Sequence, residues 1–119
     1  MENCIFCKIV RGKIPSEMIY SDKDFIVFKD INPKAPIHIL IIPKKHIISI
    51  NHLELTDKRL IGELFLIAKK IAKKIDLKEK GYKLVFNVGR GGGQVIDHLH
   101  LHLLGGWKTQ KERDISDMP

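Results

Sequence analysis

The chain carries His98-Leu99-His100-Leu101-His102-Leu103-Leu104, in which three histidines alternate with leucines. Strict polar–apolar alternation is the period of a β-strand, whose side chains point by turns to opposite faces. A strand over 98–104 therefore has a leucine face that belongs in a core and a second face made only of imidazole. The fold must then contain a sheet with a packed side, and three rings that titrate near neutrality stand in one row. Half of the chain's six histidines lie in these five residues. They cannot all ligate one metal ion. At a rise of about 3.3 Å per residue the Cα atoms of His98 and His102 lie roughly 13 Å apart, too far for a tetrahedral centre with bonds near 2.0 Å. The three rings must divide their work.

The rest of the pattern supplies such a sheet. Residues 4–10 read as a short helix stopped by Gly12 and Pro15. Residues 18–20 and 25–29 read as strands joined around Ser21-Asp22-Lys23-Asp24, a hairpin signal. Residues 37–42, almost wholly aliphatic and stopped by Pro43, read as a strand buried on both faces. Thr56-Asp57 caps a long helix that runs to about residue 75 or 77, with apolar residues at 60, 61, 64, 67, 68, 71, 72 and 75 forming a wide stripe. Residues 82–87 form a further strand, 89–93 a glycine-rich loop, and 98–104 a strand ending at Gly105-Gly106. The expectation is an α+β fold: an antiparallel five-stranded sheet with one long helix and a short N-terminal helix, in a single domain over 1–119. Residues 108–119 read as a polar, loosely held tail.

With 21 Lys and Arg against 14 Asp and Glu, the net charge is +7. Much of the excess comes from Lys69, Lys70, Lys73 and Lys74 and from Lys78, Lys80 and Lys83. At this spacing they form the solvated face of an amphipathic helix rather than a nucleic-acid stripe, while a basic field favours small anionic substrates. The start, Met1-Glu2-Asn3-Cys4, is polar and acidic, and no apolar run approaches a membrane span, so a cytoplasmic protein with no membrane partner is expected. In that compartment Cys4 and Cys7 do not form a structural disulfide.

Several groups could carry chemistry. Gly89-Arg90-Gly91-Gly92-Gly93-Gln94 precedes the histidines, and its backbone amides could cradle a phosphate, although no Walker pattern follows and a plain connection fits the local sequence equally. Asp30 stands at the end of a strand, where it either accepts hydrogen bonds from a ribose diol or forms a turn. Ile5, Phe6, Ile9 and Phe28 either wall an apolar slot for a base or pack a core. Cys4-Ile5-Phe6-Cys7 has the spacing of half a zinc site, with His46 and the histidine row as candidate partners; a redox pair and two buried thiols are the other readings. His52 reads as a surface histidine.

Together these residues resemble the histidine triad (HIT) superfamily, whose signature His-φ-His-φ-His-φ-φ (φ apolar) matches 98–104 at every position. Cys4-Ile5-Phe6-Cys7-Lys8-Ile9, Phe28-Lys29-Asp30-Ile31-Asn32-Pro33, Ala35-Pro36-Ile37-His38, Ile42-Pro43-Lys44-Lys45-His46 and Gly92-Gly93-Gln94 fall in family order, nearest to the branch of histidine triad nucleotide-binding proteins that act as purine nucleoside phosphoramidases. The resemblance implies a HIT-like fold and a hydrolase that cleaves the P–N bond of purine nucleoside 5′-phosphoramidates, or acyl and aminoacyl adenylates. His100 would form a nucleotidyl-histidine intermediate, and nucleoside monophosphate would be released. His102 would bind phosphate or help protonate the leaving group, and His38 and His98 would form a supporting relay. Asp30 would hold the ribose, Ile31 would also line the nucleotide site, and Asn87, Gly93, Gln94 and Val95 would contact the phosphate. Catalysis would need no cofactor. In branches that keep the Cys-x-x-Cys, a structural zinc is implied at Cys4, Cys7, His46 and His98, which competes with the relay for His98. The resemblance also implies a homodimer formed through the long helix and the strand 82–87.

Two departures bear on these expectations. Val95 stands where many relatives carry a Ser or Thr that donates to phosphate, and Trp107 follows Gly105-Gly106 too directly to match the tail tryptophan of close relatives. A dinucleoside polyphosphate hydrolase or nucleotidyltransferase, and a non-catalytic nucleotide-binding regulator, are the alternative readings.

Overall fold

A computed structural model describes residues 3–115 of the chain. The expected tail falls partly outside them, at 116–119. Five antiparallel strands, β1 (Met18–Ser21), β2 (Phe25–Lys29), β3 (Ile37–Pro43), β4 (Tyr82–Val85) and β5 (Leu101–Gly105), form one sheet in the order β1-β2-β3-β5-β4. Among the described residues three α-helices accompany it: α1 (Ile5–Val10), α2 (Lys58–Lys74) and α3 (Gln110–Ile115).

The two faces of the sheet are covered by different helices, which explains the near-continuous aliphatic strands. Phe25 and Val27 of β2, Ile39 and Ile41 of β3, and Leu101 and Leu103 of β5 pack with Leu64, Ala68, Ile71 and Ala72 of α2. Ile26 and Phe28 of β2 with Leu40 and Ile42 of β3 pack instead with Phe6 and Ile9 of α1. Each fully buried aliphatic or aromatic side chain contributes about 1.5–3 kcal/mol of hydrophobic stabilisation. By strand alternation His102 shares the α1 side with Leu40, its partner across the β3–β5 ladder.

Helix α1 is only six residues long and is held at both ends. The Cys4 Sγ caps its start by accepting from the Cys7 N–H at 3.3 Å, and Gly12, at φ +73°, turns the chain away after its end. Lys69, Lys70, Lys73 and Lys74 are exposed along α2, as a solvated face requires.

Three boundaries correct the sequence reading. The ladder of β5 begins at Leu101, not His98: the Leu99 N–H donates to the Ile47 carbonyl at 2.6 Å, so 98–100 is tied to the loop after β3. Strand β4 ends at Val85 rather than Asn87, whose side-chain amide donates to the Gly93 carbonyl inside the following loop. The polar tail contains the short helix α3, whose first turn is capped by Thr109 Oγ1 accepting from the Glu112 N–H at 3.1 Å.

Candidate active site

On the α1 side a cavity of about 460 Å³ opens between α1, the β2–β3 loop and the segment leading into β5. Ile5, Phe6, Ile9 and Phe28 form its apolar wall, and Asp30, Ile31, His38, Gly93, Val95, His100 and His102 also line it. Most of the residues singled out from sequence are thus brought to one place. Three are not. His98 faces the thiols of Cys4 and Cys7; Asn87 sits in the loop; Gln94 turns its side chain into the protein, where Nε2 donates to the Ile48 and Ile96 carbonyls at 2.6 and 3.0 Å and Oε1 accepts from the Gly89 N–H at 3.0 Å. Gln94 therefore holds the glycine loop against the chain after β3, and its side chain has no donor left for a ligand.

The tautomers of three rings follow from their fixed backbone partners. His100 Nδ1 lies 2.6 Å from the His98 carbonyl oxygen, so Nδ1 carries the proton and Nε2 keeps its lone pair. His38 Nδ1 accepts from the Lys34 N–H at 2.9 Å, so its proton is on Nε2. That Nε2–H donates to His102 Nδ1 at 2.9 Å, which leaves the proton of His102 on its own Nε2. The relay thus joins His38 to His102, not to His98, correcting the pairing expected from the sequence. Asp30 Oδ2 stands 3.5 Å from His38 Nε2, and its Oδ1 accepts from the Asn32 N–H at 2.8 Å, so the carboxylate both forms the turn and faces the relay.

All these rings are held neutral. Burial lowers the pKa of His100, partly offset by its hydrogen bond to the His98 carbonyl. Burial likewise lowers His38, against the pull of Asp30, and takes His102 down to about 3, helped by His100 and His38. Phe6 meets the His100 ring edge-on at 5.1 Å and limits its tilt. The arrangement offers an uncharged nucleophilic nitrogen on His100, a hydrogen-bond donor on His102 and an adjoining apolar slot.

A second cluster lies behind the cavity. Cys4 Sγ and Cys7 Sγ stand 3.4 and 3.5 Å from His98 Nδ1, and Cys7 Sγ stands 3.2 Å from His46 Nδ1. His98 Nε2 donates to the Pro43 carbonyl at 2.8 Å, which turns the Nδ1 lone pair toward the sulfurs. Burial lowers His98 to about 4 and raises Cys7. A tetrahedral zinc with bonds near 2.3 Å to sulfur and 2.0–2.1 Å to nitrogen has S···N edges of about 3.6 Å. The donor set and its spacing fit that ion.

Sequence reasoning missed Arg90 and Asp97. Arg90 crosses the loop to bind both carboxylate oxygens of Asp97, at 2.9 and 3.1 Å. An Arg in a glycine run and an Asp seven residues later carry no local signal of pairing.

Residues 3–114 match the family model described as "Scavenger mRNA decapping enzyme C-term binding". A purine nucleoside phosphoramidase of Escherichia coli K12 is 44% identical over 105 residues, covering 88% of each chain. The crystal structure of a HIT family hydrolase from Legionella pneumophila superposes with a TM-score of 0.87 at 50% identity, covering 92% of this chain and 99% of that one. A histidine triad nucleotide-binding protein from Candida albicans superposes with a TM-score of 0.78 at 35% identity, covering 91% of this chain and 85% of that one. The chain belongs to the histidine triad family, which includes a hydrolase, a purine nucleoside phosphoramidase and a nucleotide-binding protein among these relatives.

Proposed function

We propose that the protein hydrolyses purine nucleoside 5′-phosphoramidates, or the related acyl and aminoacyl adenylates, through a nucleotidyl-histidine on His100. The observation that carries this reading is the His100 Nδ1–H···O=C bond to His98, which leaves Nε2 unprotonated and open to the cavity. Attack by Nε2 on the α-phosphorus displaces the amine, and the His98 carbonyl stabilises the positive charge that develops on the ring. Water then cleaves the N–P bond, its released proton restores the Nε2–H of His102, and the nucleoside monophosphate leaves with His100 back in its neutral form. A covalent intermediate divides one difficult displacement into two. The Nε2–H of His102, held in that tautomer by His38, donates to the phosphoryl group and the leaving nitrogen. Of the backbone amides of 93–95 expected to meet the phosphoryl oxygens, those of Gly93 and Gln94 donate instead to the Arg90 and Gly89 carbonyls, at 3.0 and 2.9 Å, which leaves the Val95 N–H to stabilise the charge. Asp30 and Ile31 hold the ribose, and the slot of Ile5, Phe6, Ile9 and Phe28 takes the base.

Zinc belongs to this reading as a structural ion at Cys4, Cys7, His46 and His98; it would neutralise the buried thiolates and tie α1 to the histidine segment. The reaction itself calls on no cofactor. The protein acts as a homodimer joined at β4, an edge strand, and along α2, where Phe65, Leu66 and Leu84 are exposed. A cytoplasmic location completes the reading. No helix among the described residues is long and apolar enough to cross a membrane.

The test is turnover of an adenosine 5′-phosphoramidate carrying a fluorogenic amine, with AMP binding measured beside it. Wild type turns over, and His100→Ala binds AMP but loses about 10³-fold or more in rate. Wild-type protein that binds AMP yet is inert toward this substrate and toward dinucleoside polyphosphates would make it a nucleotide-binding regulator instead.

A further inference from the structure

Val95 brings no hydroxyl to the phosphate side of the cavity, so the only donor it offers is its own backbone N–H. That N–H has no acceptor among the described residues. Its direction is set by the Gln94–Val95 peptide, because the C=O and N–H of a trans peptide lie in one plane and point opposite ways. The Gln94 carbonyl is claimed by Arg90, whose Nη1 donates to it at 2.6 Å. The same guanidinium is gripped by both oxygens of Asp97, at 2.9 and 3.1 Å. Val95 lines the cavity and Arg90 does not. Fixing the carbonyl on the Arg90 side therefore turns the amide toward the cavity.

We propose that Arg90, oriented by Asp97, is a positioning residue that aims the Val95 N–H at the phosphoryl group of the substrate. The proposal rests on the function proposed above and adds a part to that site. The neighbouring chain makes the device necessary. Gly91, Gly92 and Gly93 supply no side chains to restrain the loop, and Gly93 stands at φ +87°, a region open to glycine. Gln94 pins its own N–H and side chain, but its carbonyl is left to Arg90. The pair contributes little to global stability, since both side chains are more than half exposed, at 66% and 56%. Its effect is local, on the orientation of one peptide.

The experiment compares wild type with Arg90→Ala, Asp97→Asn and the exchanged pair R90D/D97R. In steady-state assays with the fluorogenic phosphoramidate, R90A lowers kcat about 10- to 100-fold with KM changed less than about 3-fold, and D97N has a smaller effect of the same kind. The exchanged pair restores an ion pair but gives the Gln94 carbonyl no donor, so it stays as slow as R90A. Exogenous guanidinium partly rescues R90A. Thermal midpoints stay close to wild type throughout. The backbone 15N order parameter of the Val95 N–H in the ligand-free protein, about 0.85 where the peptide is held, falls below about 0.6 in R90A, which judges the proposal apart from any activity. If wild type proves inert, the functional reading falls, and the order parameter alone decides on the clamp. An unchanged Val95 order parameter in R90A, or full activity in the exchanged pair, overturns it.

Discussion

The carbonyl oxygen of His98 lies 2.6 Å from His100 Nδ1, while the His98 ring faces Cys4 and Cys7. One residue thus closes the thiol cluster with its side chain and fixes the tautomer of the neighbouring ring with its backbone. In the proposed mechanism the alternation divides the work: the first ring anchors, the second attacks, and the third donates.

The cluster predicts one zinc per chain in protein purified without chelator, measured by plasma emission spectrometry. Cys7→Ser loses the metal and at least about 2 kcal/mol of stability, because the buried His98, the half-buried His46 and the Cys4 thiol are left without their common partner. Metal-free wild type with unchanged denaturant stability would remove zinc from the account.

The relay predicts a dependence on the leaving group. Without His38 the tautomer of His102 is no longer imposed, so His38→Ala slows poor leaving amines by about 10- to 100-fold and good ones far less. Rates across a series of amines of graded basicity provide the check. An equal loss for every amine would indicate collapse of the pocket rather than loss of a directed donor.

How much of this was legible in the sequence depended on whether the signal was local. The alternation of 98–104 marked the imidazole-bearing face of β5, and the two-sided burial of β3 followed from its aliphatic run. The partner of His38 did not follow. It is set by the ladder that places His38 opposite Leu104 and Leu40 opposite His102, so that His38 and His102 become diagonal neighbours on one face. Register is a property of two strands, and one strand does not declare it. The start of β5 was missed for a similar reason: Leu99 continues the alternation, yet its N–H goes to Ile47, outside any ladder. Gln94 was legible as a loop residue but not as a buried bolt, because one of its partners, the Ile48 carbonyl, comes from the distant chain after β3.

Acid sensitivity follows from the buried pair His38 and His102. Both are held below the usual histidine range, His102 at about 3; Asp30 pulls His38 upward, while Lys34 and His100 push it down. Unfolded, each titrates near about 6.5, so between pH about 6.5 and 3 the unfolded chain binds more protons and stability rises with pH. The slope reaches about 1 kcal/mol per pH unit for His102, His38 adds to it with the same sign, and both contributions vanish above pH about 7. Urea midpoints across this range measure it, and the double variant H38Q/H102Q makes the acid limb shallower without removing it, because His98 and His100 are also held down by burial. Equal wild-type stability at both ends of the range would show that the rings are not buried neutral.

The open edge of β4 and the exposed Phe65, Leu66 and Leu84 predict that Leu66→Lys with Leu84→Lys yields monomers by sedimentation velocity, where wild type sediments as a dimer. A monomeric wild type would leave this surface without its assigned partner.

The central claim is that His100 carries the nucleotide during turnover. Rapid acid-free quenching of wild type with adenosine 5′-phosphoramidate, followed by peptide mass mapping, tests it directly. The account predicts an adenylyl adduct on His100 within the first turnover, formed and consumed at rates compatible with kcat and absent in His100→Gly. Turnover at full rate with no adduct on His100, or an adduct on His38 or His102, would contradict it.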